Sequence, residues 1–385
     1  MLGTTAYAQK EGADVIRMDW GNSRVDWQRI HDRVVGNRLL LAICVAAVIA
    51  IVGIGFGIEN NKVVPVSTGL LAHYASGRYN KIGFLADWDG RNYLNIARYG
   101  YQSAGATNFF PLYPMATRAL TYIVRSEFVS AVLISWAGFA GAVYFYMKII
   151  RQLYKTKGNV EDLRGALLFA LFPTGVFLFA AYTEGLFALL AIAAIYFALK
   201  RRTIEAAALT LLATATHITG LFVLVFVLLL LWEGHEKVSK IVQVGVIGCL
   251  GLISYMVYLA VRFGNPIEFV VAQHGHGWLT YSHTHQLLSE ILGRNLIFIL
   301  LAAGACWYWW NRRRSFALYS ALFVCIVVLG NLGGYGRYTL MDFSIPLMFY
   351  DYFKDRKLGY ALVLAASAVF WMYFLLQFAG GYTGG

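Results

Sequence analysis

The chain has 385 residues, of which 59% are hydrophobic and only 14% charged, with a formal net charge of +12. That balance excludes a soluble globular domain, and basic residues scattered over separate loops with no accompanying motif argue against nucleic-acid binding. Apolar runs long enough to cross about 30 Å of hydrocarbon recur along nearly the whole length. Strand-like alternation is absent, so the predicted fold class is an all-α polytopic membrane protein.

In chain order, residues 1–38 form a polar, basic cytoplasmic tail. Val15, Ile16, Trp20, Trp27 and Ile30 alternate there with Arg and Asp, a pattern open to two readings: a surface-lying amphipathic helix or a disordered segment. No apolar run precedes residue 39, which points to a first span acting as signal anchor rather than a cleaved signal peptide. Eleven spans are predicted, at about 39–58, 128–149, 165–181, 184–199, 203–216, 218–232, 241–261, 287–310, 315–331, 339–350 and 358–378. The pair 203–216 and 218–232 reads either as one broken span or as two tilted ones. No linker divides residues 39–385, which are taken as a single membrane domain. The loop 59–127 is the long insertion. Tyr93, Ile96, Ala97 and Tyr101 recur in it at helical spacing, predicting short helices along the membrane surface, and Pro111 and Pro114 should end or bend one of them. A second long loop covers about 262–286. Cys44, Cys249, Cys306 and Cys325 all fall inside apolar spans without paired spacing, which favours packing over disulfides.

Basic residues mark every second loop: the tail, 148–164, Lys200-Arg201-Arg202, Lys237 with Lys240, Arg312-Arg313-Arg314, and 354–357. By the positive-inside rule these loops and the N-terminus are cytoplasmic, and loop 59–127 faces outward. The excess positive charge then serves insertion and attraction to anionic lipid.

With this topology the unusual polar residues gather on the outer side. Asp87-Trp88-Asp89-Gly90-Arg91 and Asn108 through Tyr113 lie in the first outer loop, Tyr182-Thr183-Glu184 at an outer turn, and His217 at the next. Gln273-His274-Gly275-His276-Gly277-Trp278 lies in the second loop, and Gly334-Tyr335-Gly336-Arg337-Tyr338 at a later outer turn. Ionisable groups at membrane depth are functional candidates by default, and random placement would send about half to the other side. Each also has a structural reading. Asp87 and Asp89 suit helix starts, and two helical residues apart they would point about 200° away from each other, one to a site and one to local structure. Glu184 suits the positive end of a helix dipole, His217 a hydrogen-bonded core position, and Arg337 a cap or a lipid phosphate. The His274, His276, His283 and His285 set has H-x-H spacing but lies in a glycine-rich loop without nearby cysteine or carboxylate, so no metal site is assigned to it. No cofactor is called for, and a divalent-metal requirement stays open.

Trp88-Asp89-Gly90, then Ile96-Ala97, Gly100-Tyr101 and Asn108-Phe109-Phe110-Pro111-Leu112-Tyr113-Pro114, resemble the first luminal loop of the GPI mannosyltransferase II (PIG-V) family. Phe172-Pro173 leading to Tyr182-Thr183-Glu184-Gly185-Leu186-Phe187 resembles its next motif, with Gly185 where the family usually has Ser. Ala215-Thr216-His217-Ile218-Thr219-Gly220 corresponds to a helix start where Arg is commoner than His, and Arg337-Tyr338 matches a C-terminal Arg-aromatic element. The resemblance runs over about 80–345 and implies a GT-C-like bundle of about 11 helices. It also implies a polyprenyl- or dolichyl-phosphate sugar donor and an acidic residue of the first outer loop at the active centre. The membrane it implies is the plasma membrane in a prokaryote or the endoplasmic reticulum in a eukaryote.

The expected activity is therefore transfer of a sugar, mannose by resemblance, from a lipid-phosphate donor to a lipid-linked or glycan hydroxyl at the outer or luminal face. Asp89 is the expected base with Asp87 second. Arg337, Arg91 and His217 are expected at the donor phosphate, and Trp88, Asn108, Tyr113, Tyr182, Glu184, Gln273 and Trp278 at substrate. No second carboxylate stands out as a nucleophile, so one displacement should invert the anomeric centre. The rival reading is a lipid or solute transporter with an outer binding site, which predicts mid-membrane charges and an inverted repeat. A non-catalytic scaffold would leave the clustered acids unexplained. The topology is checked by impermeant-reagent labelling of intact cells: a cysteine introduced near Ala104 should react and one near Lys157 should not, and the reverse pattern would refute the orientation.

Overall fold

The computed structural model describes residues 82–156, 158–275, 295–328 and 334–380. The predicted tail, the span at 39–58, Trp278 and His276, His283 and His285 lie outside the described residues. Among the described residues every regular element is helical. The α-helices are α1 Asp89–Tyr99, α2 Leu112–Val124, α3 Glu127–Tyr154, α4 Asn159–Ala170, α5 Glu184–Leu199, α6 Thr203–Thr216 and α7 Gly220–Glu233. They continue with α8 Val238–Phe263, α9 Glu268–Gly275, α10 Leu296–Trp310, α11 Arg314–Val328, α12 Tyr335–Thr339, α13 Ser344–Phe353 and α14 Lys357–Ala379. Short 3-10 turns stand at Gly83–Ala86, Ala104–Asn108 and Gly175–Leu178.

Three helices, α3, α8 and α14, are long and apolar enough to cross a bilayer, and α5, α6, α7, α10 and α11 are shorter apolar helices. The protein is accordingly a multi-pass membrane protein. The boundaries have local causes. Ser126 caps α3 by accepting the Val129 N–H at 3.3 Å, with Glu127 in the positive first turn. Gly264, at φ 78°, turns the chain out of α8 in the left-handed conformation that glycine adopts without strain.

Two predicted spans are corrected. Residues 165–181 are not one helix: α4 stops at Ala170, two residues before Phe172-Pro173, and a 3-10 turn follows. Proline has no N–H to continue the ladder and forces its predecessor out of the α region. Residues 339–350 are likewise divided between α12 and α13. Asp342 accepts the Ser344 N–H at 3.2 Å and the Ser344 hydroxyl at 2.7 Å, which starts α13 afresh. The prolines of the first loop also act differently from expectation. Pro111 directly precedes α2 and Pro114 sits in its first turn, so they begin a helix rather than end one; the missing N–H costs nothing there.

Backbone-to-backbone contact sets the helix spacing. A Cβ on Gly138 of α3 would stand 2.4 Å from the Gly185 carbonyl oxygen of α5, and one on Gly185 would stand 2.5 Å from the Ser135 carbonyl oxygen. The same close approach brings α8 to α6, where a Cβ on Gly251 would stand 2.0 Å from the Leu211 oxygen. Small residues at such seams replace the hydrophobic driving force that lipid does not supply. At Gly185 this packing leaves no space for a side chain.

The short helix α5 is the centre of the bundle, packed on α3, α6 and α7. Its sixteen residues rise about 24 Å, less than the hydrocarbon thickness. Its first residue, Glu184, lies at one end of the bundle, and Lys200-Arg201-Arg202 follow it at the other. Gly138→Ala or Gly185→Ala should force α3 and α5 apart and destabilise the protein by about 1–3 kcal/mol. Thermal unfolding in detergent reads this, with Gly304→Ala, whose Cβ would meet nothing within 4 Å, as the unchanged control.

Candidate active site

Two helix starts and one short helix build the site. Trp88 precedes α1 at φ 55° and ψ −118°, a conformation that non-glycine residues rarely adopt. It turns the indole outward, 46% exposed, and directs Asp89 inward at the first helical position, where the positive end of the helix dipole suits a carboxylate. Glu184 holds the equivalent place on α5. The turn before it reaches the 3-10 turn that precedes α1 through the Ala181 N–H to the Leu85 carbonyl at 2.7 Å. Arg337 comes from α12, anchored by the Thr174 hydroxyl donating to the Gly336 carbonyl at 2.8 Å.

These three side chains meet. Arg337 Nη1 donates to Asp89 Oδ2 at 2.6 Å across 248 residues of sequence. Its Nε lies 2.9 Å from Glu184 Oε1 as an ion pair, but at an angle that leaves Nε without a hydrogen bond. The side chains of Arg337, Asp89 and Glu184 are 12%, 10% and 1% exposed, so Asp89 and Arg337 keep a slight exposure while Glu184 is enclosed. Burial opposes the guanidinium charge, but Asp89 and Glu184 outweigh it and hold Arg337 protonated beyond its ordinary range. Its face rests on Tyr182 at 5.4 Å and Phe177 at 5.7 Å.

Tyrosine hydroxyls pin this arrangement. Tyr182 accepts the Asp89 N–H at 3.2 Å and donates to the Asp87 carbonyl at 3.0 Å, fixing the first turn of α1. Tyr113, fully buried, donates to the Ala131 carbonyl at 2.9 Å and lies 2.9 Å from the Ser135 hydroxyl, which donates to the Tyr182 carbonyl. Tyr93, one turn after Asp89, is 3.4 Å from the Thr183 hydroxyl, which donates to Glu184 at 3.3 Å. Burial first, then the charges of Glu184 and Asp89, pushes the Tyr93 phenol well above its usual pKa, so it stays an O–H donor.

The two loop acids diverge: Asp89 takes Arg337, while Asp87 takes Arg91 at 3.1 Å. His217 ends α6 in an extended conformation between Phe187 and Tyr338. Burial, with Arg337 adding to it, pushes its pKa down to about 3. The imidazole is therefore neutral at pH 7, and its Nδ1 accepts the Thr219 N–H at 3.2 Å, leaving Nε2–H as the donor. What it can offer a phosphate is an N–H and not a charge. The Asn108 Oδ1 is enclosed and has no hydrogen-bond partner among the described residues. Gln273 lies on α9, which packs on the turn bearing Asn108. Among the described residues no three His, Cys, Asp or Glu side chains form a metal-binding group.

The residues that sequence reasoning missed are Tyr93, Thr174, Ser135 and Phe177. Only Tyr93 carried a usable signal, four positions after Asp89 on the same helix face.

The family model described as mannosyltransferase (PIG-V) matches residues 47–259, more than half of the chain. The match takes in Asp87, Asp89, Glu184 and His217 and ends before Arg337. None of the curated proteins matches the chain.

Arg337→Gln should leave two enclosed carboxylates unbalanced and cost about 3–5 kcal/mol. The double variant Glu184→Gln/Arg337→Gln should recover part of that loss. Thermal midpoints in detergent measure both, and strictly additive losses would show that the pair is not coupled.

Proposed function

This chain belongs to the PIG-V mannosyltransferase family, a family of membrane glycosyltransferases, and from that premise we propose that it moves mannose from a polyprenyl- or dolichyl-phosphate donor to a hydroxyl of a lipid-linked or glycan acceptor. The observation that carries this reading is the Asp89–Arg337–Glu184 cluster at two helix starts. It pairs a proton acceptor with a cation, both slightly exposed, while the donor's isoprenoid stays in the bilayer.

Asp89 is the proposed base. The acceptor hydroxyl gives its proton to Asp89 as its oxygen bonds the anomeric carbon. The bond from that carbon to the phosphate oxygen breaks, and the lipid phosphate departs with the electron pair. Arg337 has five N–H donors, and the hydrogen bond to Asp89 uses one at Nη1. The remaining Nη hydrogens, with the helix dipoles of α1 and α5, can meet the charge growing on the leaving phosphate. His217 supplies a neutral N–H alongside, and Asn108 an acceptor for a sugar hydroxyl. Glu184 is enclosed and paired with Arg337, so it holds the guanidinium in place rather than attacking the sugar. A single displacement with inversion follows. The positive-inside reading of the basic loops supports the outer or luminal face of the membrane as the side of this chemistry.

The test is transfer from radiolabelled polyprenyl-phosphate mannose by purified protein to a panel of glycolipid and glycan acceptors. Asp89→Asn keeps size and hydrogen bonding to Arg337 but cannot take the proton, so transfer should fall about 10²–10⁴-fold with protein yield maintained. Asp87→Asn, whose partner is Arg91, should cost less. Loss in Asp87→Asn with full transfer in Asp89→Asn would move the base to Asp87. Full activity in both would leave the transfer chemistry without its base and favour transport.

A further inference from the structure

A polar cavity lies at the far end of α5, about 24 Å along that helix from Glu184. Its volume is about 670 Å³, and it is lined by the ends of α5 and α7 and by the α10–α11 turn. Arg201, Arg312, Arg313 and Arg314 converge on it from two segments of the chain. None of the four is in ion-pair contact with a carboxylate among the described residues.

The one carboxylate in the wall is committed elsewhere. Glu233 accepts the Ser315 N–H at 2.8 Å and the Ser315 hydroxyl at 2.7 Å, capping the start of α11 with both oxygens. Glu236, which feels the charge of Arg201, is paired with Lys240 at 3.3 Å. Gly234 leaves room for the Arg201 side chain, whose Nε lies 3.5 Å from where a Cβ would stand. Arg312 lies over the Tyr308 ring at 4.1 Å, with Nη1 donating to the Tyr308 carbonyl at 2.9 Å. The four neighbouring guanidiniums, all exposed, repel one another, and a bound anion relieves that repulsion.

We propose that this cavity is a phosphate-binding site, filled from the bilayer by an anionic phospholipid headgroup. Guanidinium forks match phosphate oxygens in pairs, and basic pockets between membrane helices suit such headgroups. The depth agrees with this source. Trp307 and Trp310, on the last turns of α10, are 81% and 51% exposed, and Trp at the end of an apolar helix marks the headgroup level. The site is independent of the sugar-transfer reading and lies at the opposite end of the bundle from it.

Delipidated full-length protein in neutral detergent is titrated with phosphatidylglycerol, with phosphatidylcholine and, separately, with inorganic phosphate. Native mass spectrometry reads bound lipid, and the thermal midpoint reads stabilisation. Phosphatidylglycerol should bind at least about tenfold more tightly than phosphatidylcholine, and Arg201→Gln/Arg313→Gln should abolish that preference. Lys200, Arg202, Arg312 and Arg314 remain in this variant to direct insertion. Arg201→Lys/Arg313→Lys, which keeps every charge, should fold normally and bind with intermediate strength because it loses the forks. Stabilisation of wild type by inorganic phosphate alone, lost in the Gln variant, would keep the site and assign it a soluble source. Equal phosphatidylglycerol binding by wild type and both variants, or no binding of either phosphate source, would overturn the proposal.

Discussion

One guanidinium between two carboxylates is the constraint on which the candidate site depends. Asp89, Glu184 and Arg337 come from segments far apart in sequence, and each is presented by the first turns of a helix or by a helix too short to stand alone. In a water-poor interior an unbalanced carboxylate is expensive, so these segments have to arrive together. The surrounding details serve that arrival. Gly138 and Gly185 let α3 and α5 touch through their backbones, which fixes the height of Glu184. Thr174 holds α12 in place through Gly336. Tyr182 ties the start of α1 to the turn before α5. Packing and electrostatics are thus the same requirement seen from two sides.

Trp88 adds a different kind of constraint. Its backbone conformation is one that costs a non-glycine residue of order 1–3 kcal/mol, and the side chain does not join the core, remaining 46% exposed. The cost is borne by the turn that separates Asp87 from Asp89 and sends their carboxylates to different partners. Without that turn both acids would compete for the same surroundings, and three carboxylates would gather around one guanidinium.

Much of the bundle was legible because hydropathy and charge act locally. The spans at 184–199 and 203–216 coincide with α5 and α6, since Glu184, Lys200-Arg201-Arg202 and His217 are polar punctuation between unbroken apolar runs. Residues 165–181 and 339–350 misled for a related reason: their composition is predominantly apolar, so average hydropathy ignores what Pro173 and Asp342 do to the backbone. The convergence of the unusual polar residues on one end was readable from topology. The partner of each was not, because Arg337 and Asp89 are separated by 248 residues and no local spacing reports such a contact. Tyr113 and Tyr182 were visible as residues but not as pins, since a buried hydroxyl finds its role only from the carbonyls around it.

The shortness of α5 has an electrical consequence. The helix packs against α3, with twenty-eight residues, and against α6 and α7, with only fourteen each. Glu184 and Arg201 therefore stand at the two ends of an apolar length of about 24 Å, where a lipid core measures about 30 Å. A membrane voltage falling between those two charged ends produces a field about a quarter steeper than one falling over the full lipid core.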